Sequence, residues 1–194
     1  MSDQSTRFAA ESSASLAQEN ELLRAALADA QRRIEQLEAL AEGDALTGLA
    51  NARRFAQEVE RVAGHAARHG TPAALISFEL KGIEAIVARH GEPVGQAAIA
   101  QVARTLGGLI RATDQLARTD EVGFGLLVDH LDQNSAIETG ERLARCIARA
   151  PLDLAGAQIP LEVIVATTGI MPGDEAGAVL ARAARNLSRA REEA

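Results

Sequence analysis

The 194-residue sequence has one cysteine, few aromatic residues and a deficit of positive charge. The lone Cys146 excludes a disulfide framework and cysteine-rich metal sites. With four phenylalanines and no tryptophan or tyrosine, the chain lacks a platform on which nucleic acid bases stack. The net charge of −7 argues against a general phosphate-backbone binder. We therefore expect no nucleic acid partner.

Long apolar runs are also missing. No stretch reaches the roughly 20 apolar residues that a membrane span needs, and residues 1–15 contain no apolar segment typical of a signal peptide. Hydrophobic residues make up 47% and charged residues 24%, as in globular proteins. These features predict a cytoplasmic protein with one packed domain, an appendage and no membrane span.

The N-terminal part of the chain predicts the appendage. Residues 1–15 are rich in serine, alanine and acidic residues, which favours a disordered leader. From Leu16 the apolar spacing alternates between four and three, with Asn20 at an a position. This pattern predicts a parallel coiled coil over 16–42 and a homodimer through residues 16–41. The alternative is a single amphipathic helix folded onto the domain that follows.

From Asp44 to the C terminus, the heptad pattern gives way to segments with helical and strand patterns. Apolar spacing and turn residues predict helices at 51–68, 83–89, 94–111, 135–149 and 175–191. Strands are predicted at 73–80, 115–118, 123–128 and 161–170, the second and third forming a hairpin. This order implies an α/β fold with a central mixed sheet flanked by helices.

Two segments carry a family resemblance. Residues 44–55 (DALTGLANARRF) resemble the DxLTGLxNRRxF opening of GGDEF domains, the diguanylate cyclase fold of bacterial second-messenger signalling. Residues 116–128 (LARTDEVGFGLLV) resemble the signature hairpin of that family, with Arg118 and Phe124 at the family spacing. The resemblance implies a GGDEF domain over 44–194, with a nucleotidyl-cyclase-like fold.

The signature hairpin departs from the family in its chemistry. In the family, two tip glycines approach a GTP phosphate, and the next carboxylate binds the catalytic metal. Here the five positions read Asp120, Glu121, Val122, Gly123 and Phe124. Val122 has no oxygen to offer a metal, and the carboxylates before it would repel a triphosphate. The ordinary explanation of these residues is a plain hairpin turn in which Gly123 supplies a positive φ.

Other positions of the catalytic site differ as well. The resemblance aligns the metal-binding aspartate with Glu79, the phosphate-binding lysine with Glu84, and two guanine-reading residues with Val87 and Gln96. A second phosphate-binding lysine aligns with Arg191. Phosphoryl transfer depends on positioned cations and metal, so the resemblance implies a degenerate domain with no catalytic residues, no bound metal and no cofactor. The alternative is an active diguanylate cyclase that uses Mg²⁺ at an atypical site.

One ligand site of the family matches in sequence. Arg111 and Asp114 stand where the family has its RxxD site for cyclic di-GMP, and Arg142 aligns with a second arginine that clamps this ligand. Guanidinium groups bind phosphate oxygens, and a carboxylate accepts from guanine N–H groups. The ordinary explanation is an arginine at a helix C terminus followed by a turn, with Arg142 paired to Glu138.

These observations predict a cyclic di-GMP receptor or signalling scaffold with an unknown protein partner. The alternative is an interaction module that binds no nucleotide. The remaining basic residues, such as Arg54 and Arg182, are expected on solvated helix faces.

Overall fold

The computed structural model describes residues 18–34, 37 and 42–194. The predicted leader over 1–15, and residues 16–17, 35–36 and 38–41 of the predicted coil, lie outside the described residues. The chain divides into two compact units, Met1–Ala41 and Glu42–Ala194.

The first unit contains a helix that covers residues 18–34. Four of its apolar side chains, together with Leu37, are 55–67% exposed. These side chains belong to Leu22, Leu23, Leu27, Ile34 and Leu37. Across the described ranges, no helix has the length and apolar content to cross a membrane.

Helices and strands alternate along the second unit. Its helices are α1 (Ala52–His69), α2 (Ile83–His90), α3 (Glu92–Gly107), α4 (Gln133–Ala148) and α5 (Ala176–Glu193). Its strands are β1 (Ala73–Leu80), β2 (Gln115–Arg118), β3 (Gly123–Asp129), β4 (Leu152–Leu154), β5 (Ala157–Ile159) and β6 (Val163–Ile170). The predicted α/β class is confirmed.

The central sheet has the strand order β2-β3-β1-β6. Its neighbouring strands pair antiparallel, with Ser77 of β1 opposite Gly125 of β3 and Ala166 of β6. Parallel pairing is limited, in the described part, to an isolated bridge between Ala50 and Ala117. The sequence predicts a mixed sheet; the four strands instead form an antiparallel sheet, because β1 runs opposite to both of its neighbours and β2 runs opposite to β3.

Two apolar clusters cover the two faces of the sheet. Successive residues of β1 point to opposite faces, so Leu75 joins the cluster of α1 and α5, while Ile76 joins that of α3 and α4. Gly125 lies under Phe55 of α1, where a Cβ atom would approach the ring to 2.5 Å. The close approach of α1 to the sheet therefore requires glycine at this position.

Several elements differ from their predicted bounds. The predicted helix 94–111 ends at Gly107, capped by Gly108, because two consecutive glycines disfavour helix continuation. Arg111 therefore lies in a loop, and the helix C-terminal explanation for it is wrong. The short strands β4 and β5 were missed because three residues are too few to show an alternating pattern.

Two predictions about arginine side chains are also wrong. Arg182 donates to the Asp174 carboxylate at 2.5 Å and to the Gly169 carbonyl at 2.7 Å, so it is not a solvated helix residue. Arg142 makes no ion pair with Glu138 or with any other acidic residue in the described part of the chain.

Candidate functional site

The segment that resembles the opening of the family forms a tight turn before α1. Asp44 Oδ1 accepts hydrogen bonds from the backbone N–H of Thr47 at 2.8 Å and from its hydroxyl at 2.6 Å. Gly48 follows with a φ of 70°, a conformation that glycine adopts freely. Asn51 then caps α1 by accepting from Arg54 N–H at 3.0 Å. The DALTGLAN segment is thus explained by the turn and the helix cap that it forms.

Arg118 connects this turn to the β2–β3 hairpin. Its Nη1 donates to Asp44 Oδ2 at 3.0 Å, and its Nη2 donates to the Glu121 carbonyl at 2.7 Å. Burial raises the pKa of the Asp44 carboxyl, but the hydrogen bonds from Thr47 and the charge of Arg118 outweigh burial and hold that pKa below its ordinary value. The arginine of the hairpin motif therefore has a structural role here.

Local hydrogen bonds from backbone N–H groups stabilise the hairpin tip. Thr119 N–H donates to the Gly123 carbonyl at 3.0 Å, and Glu121 N–H donates to Asp120 Oδ1 at 2.7 Å. No residue from Thr119 to Gly123 has a positive φ. The explanation in which Gly123 supplies a positive φ is therefore wrong, since Gly123 is the first residue of β3. Phe124 follows it into the core at 1% exposure.

A cavity of about 940 Å³ opens between this tip and helices α2 and α3. It gathers seven of the positions singled out in the sequence, namely Glu84, Val87, Gln96, Arg118, Asp120, Glu121 and Val122. Glu92 adds a further carboxylate at the start of α3. Apolar side chains such as Leu46 and Ile99 line the same cavity. Four carboxylates and the guanidinium of Arg118 line this cavity, so its lining is acidic.

Glu79 and Arg191 form an ion pair beside this cavity. The hydrogen bond to the Glu79 carboxylate raises the pKa of the Arg191 guanidinium, and the charge of Asp120 acts in the same direction. The Glu79 side chain is only 15% exposed. The carboxylate and the cation that the family resemblance would assign to metal and phosphate thus neutralise each other. Among the described residues, no group of three or more His, Cys, Asp or Glu could hold a metal ion.

A second, smaller cavity of about 80 Å³ lies toward the other end of β3, where Leu126, Val128 and Asp129 line it. Arg111 and Asp114 reach it from the loop after α3, and Arg142 reaches it from α4. Asp114 Oδ2 accepts from Arg111 N–H at 2.9 Å, while Asp114 N–H donates to the Arg111 carbonyl at 3.1 Å. These two hydrogen bonds fix the backbone turn from Arg111 to Asp114 and the position of the Asp114 carboxylate.

Two polar residues of this cavity were not identified from the sequence. Asp129 ends β3, and Thr139 lies one helical turn before Arg142 on α4. The i,i+3 spacing of Thr139 and Arg142 places both on one helix face and would have indicated Thr139. Asp129 has no comparable signal, because only the sheet brings it beside the loop.

Comparison with known proteins places the fold in a family. The family model described as Diguanylate cyclase, GGDEF domain matches residues 41–194. The chain belongs to the GGDEF family. The GGDEF domain of DgcB from Caulobacter crescentus, solved in complex with c-di-GMP, has 21% identity and a TM-score of 0.74, covering 78% of this chain and 88% of that one. This likeness shows a shared fold.

Curated relatives of this GGDEF protein are longer. The uncharacterized protein y4lL of Sinorhizobium fredii is 28% identical over 141 residues, which cover 73% of this chain and 17% of that protein. The probable diguanylate cyclase DgcT of Escherichia coli is 26% identical over 137 residues, 71% of this chain and 30% of the relative. The chain thus spans less than a third of the length of these relatives.

Proposed function

We propose that this GGDEF domain is catalytically inactive and serves as a cyclic di-GMP receptor. The observation that carries the proposal is that Arg111, Asp114 and Arg142 line one cavity, although they come from a loop and a separate helix. The domain of DgcB, similar in fold, was solved with c-di-GMP. The receptor would act in the bacterial cytoplasm, alone or as a scaffold for a protein partner.

Two arginines and two aspartates, Asp114 and Asp129, line this cavity, and such groups suit the phosphates and the guanine N–H groups of a cyclic dinucleotide. Within the described residues, neither Arg111 nor Arg142 forms an ion pair, so both guanidinium groups are available for phosphate oxygens or a guanine edge. Asp114 Oδ2 accepts the hydrogen bond from Arg111 N–H within the turn. The other oxygen, Oδ1, can accept from guanine N–H groups. Because about 80 Å³ is far below the usual volume of a ligand pocket, only part of the ligand would enter, and the remainder would lie across the exposed arginines.

The acidic cavity supports the absence of catalysis. Mg²⁺ prefers several oxygen ligands around one point, and the position of the family's metal-binding carboxylate is occupied by Val122. Glu79 is already paired with Arg191. Glu84, Asp120 and Glu121 all line the space that a triphosphate would occupy. Since the site offers carboxylates where phosphoryl transfer needs cations, it opposes GTP binding.

Isothermal titration calorimetry with cyclic di-GMP tests the receptor. We expect the unaltered protein to bind it, and Arg111→Ala or Arg142→Ala to weaken binding by roughly 10- to 100-fold, since each charge-assisted contact is worth about 1.5–3 kcal/mol. Arg111→Lys should also weaken binding, because an ammonium group lacks the planar fork. Arg145→Ala is the matched control, since Arg145 is an exposed residue of α4 paired with Glu141 at 3.6 Å.

The titration separates the proposal from its alternatives. If cyclic di-GMP produces neither heat nor thermal stabilisation at high concentration, the receptor proposal fails and the interaction module is the better account. If GTP binds and cyclic di-GMP forms, the active cyclase is the better account. We further propose that residues 16–41 pair two copies of the chain in a coiled coil, a proposal supported by the exposed apolar side chains of helix 18–34.

A further inference from the structure

A groove of about 400 Å³ lies on the side of α2 away from the acidic cavity. We define this α2 groove by an apolar floor of Ile86, Ile159 and Pro160 and a basic rim of Lys81, Arg89 and His90. The floor joins α2 to the end of β5, so two separate elements form its walls. The groove shares no lining residue with the acidic cavity or with the cavity of the RxxD segment.

Packing against the core holds the two isoleucines of the groove floor in place. Ile159 is 8% exposed and packs into the main apolar cluster, and half-buried Ile86 packs against the same cluster. Pro160 extends this surface outward and remains exposed. A side chain placed in the groove would therefore meet apolar atoms whose positions are set by the core.

Lys81 and Arg89 carry the positive charge of the rim, and the carboxylate of Glu162, which also lines the groove, carries the opposing charge. Arg89 and His90 are exposed and have no ion-pair partner within the described residues. Lys81 Nζ lies 4.0 Å from Glu162, whose side chain is 69% exposed, so this pair contributes little. Favourable interaction with the helix dipole accounts for Arg89 and His90 in the last turn of α2. It does not account for Lys81, which precedes the helix, or for the apolar floor between them.

The two sides of α2 differ in the sign of their charge. Glu84 points to the acidic cavity, which also holds Asp120 and Glu121, whereas Lys81 and Arg89 border the groove. The chain as a whole carries a net charge of −7. An acidic partner is therefore repelled by the net charge of the chain and attracted by Lys81 and Arg89 at the groove, which is the basis of electrostatic selectivity.

We infer that the α2 groove docks an acidic peptide segment of a partner protein. One or two apolar side chains of the segment rest on Ile86, Ile159 and Pro160, and flanking carboxylates pair with Lys81 and Arg89. The partner is a protein because the groove combines an apolar floor with cations on both sides of it, as an acidic amphipathic segment requires. This docking does not depend on cyclic di-GMP binding.

A fluorescein-labelled peptide, Glu-Asp-Leu-Glu-Leu-Asp-Glu, tests the inference by fluorescence anisotropy with the full chain. We expect it to bind, and the same peptide with lysine at every acidic position to bind at least tenfold more weakly. Arg89→Glu and Lys81→Glu should each raise Kd about tenfold or more. Ala85→Glu, at an exposed helix position that lines the groove, should do the same without unfolding the domain.

Arg53→Glu is the matched control, because it makes the same charge change at an exposed position of α1. We expect it to change Kd less than twofold. Methyl NMR should show the peptide shifting the signals of Ile86 and Ile159. Equal effects of Arg53→Glu and Arg89→Glu on Kd, or equal binding of the two peptides, would overturn the inference. Unshifted methyl signals of Ile86 and Ile159, or no peptide binding up to ~1 mM, would overturn it as well.

Discussion

Arg118 in β2 and Asp44 in the turn before α1 form an ion pair of 3.0 Å across 74 residues of chain. Their side chains are 17% and 19% exposed, so the pair is mostly shielded from solvent. It connects the N-terminal turn of the domain to the hairpin that borders the acidic cavity. This contact makes the first segment of the GGDEF domain and its signature hairpin mutually dependent.

Removing either partner of this pair should destabilise the domain. We expect Asp44→Ala and Arg118→Ala each to lower the free energy of unfolding by about 1–3 kcal/mol, because a partly buried charge loses its partner. The double variant should reveal a coupling energy of about 0.5–3 kcal/mol in urea unfolding. Arg54→Ala, which breaks the more exposed contact with Glu42, should cost less than about 1 kcal/mol. Additive effects of the first two changes would contradict the coupling.

Stability should fall in acid partly through Asp44 and Asp174. The hydrogen bond from Arg182 lowers the pKa of the Asp174 carboxyl against the opposing effect of burial, and the pKa of Asp44 is lowered as well. Because each folded-state pKa lies below the ordinary 3.8, the unfolded chain binds protons first as pH falls. Their stabilisation is complete above that value and disappears as pH drops through the folded-state pKa.

Unfolding curves measured from pH 7 to pH 2 test this dependence. Asp44→Asn and Asp174→Asn should lower the free energy of unfolding at neutral pH. Below about pH 4, the free energy of unfolding of these variants should fall less steeply with pH than that of the unaltered protein. Arg118→Met should flatten the decline as well, since the lowered pKa of Asp44 depends in part on Arg118. An unchanged slope in all three variants would show that these carboxylates do not contribute to acid unfolding.

The purified protein should form no cyclic di-GMP from GTP with Mg²⁺ or Mn²⁺. Changing only residues 120–124 to Gly-Gly-Asp-Glu-Phe should not produce activity, because Glu84 and Val87 would still oppose the nucleotide. Adding Glu84→Lys and Val87→Asn to that change should increase GTP affinity, measured by calorimetry. Chromatography that detects product from the unaltered protein above a no-enzyme control would contradict the expectation.

The proposed coiled coil predicts that the chain has the mass of a dimer in solution. Leu27→Pro should cost the helix about 3 kcal/mol or more and shift the light-scattering mass from dimer toward monomer. Ala28→Ser, at the neighbouring position outside the apolar seam, is the control and should leave the mass unchanged. If the proline variant remains fully dimeric, residues 42–194 contain the interface. Asn20→Ile should strengthen association while loosening its register.

Local sequence patterns predicted most of the regular elements. Strand β1 at 73–80 and the hairpin strands β2 and β3 were identified because an apolar run of strand length and a turn between β-prone segments are both local features. The predicted helix 51–68 begins at Asn51, the residue that caps α1 in the structure. The departures of Val122 and Glu84 from the family chemistry were also visible, since residue identity alone decides whether a metal or phosphate ligand is present.

The short strands and the partners of charged side chains required the tertiary structure. The strands β4 and β5 depend on packing that overrides weak local preference. The pairs Arg191–Glu79 and Arg182–Asp174 join residues that no spacing rule relates. Asp129 joins the RxxD cavity for the same reason. Sequence determined which chemical groups this protein has, and only folding decided which of them meet, because such contacts arise from sheet register and helix packing between distant segments.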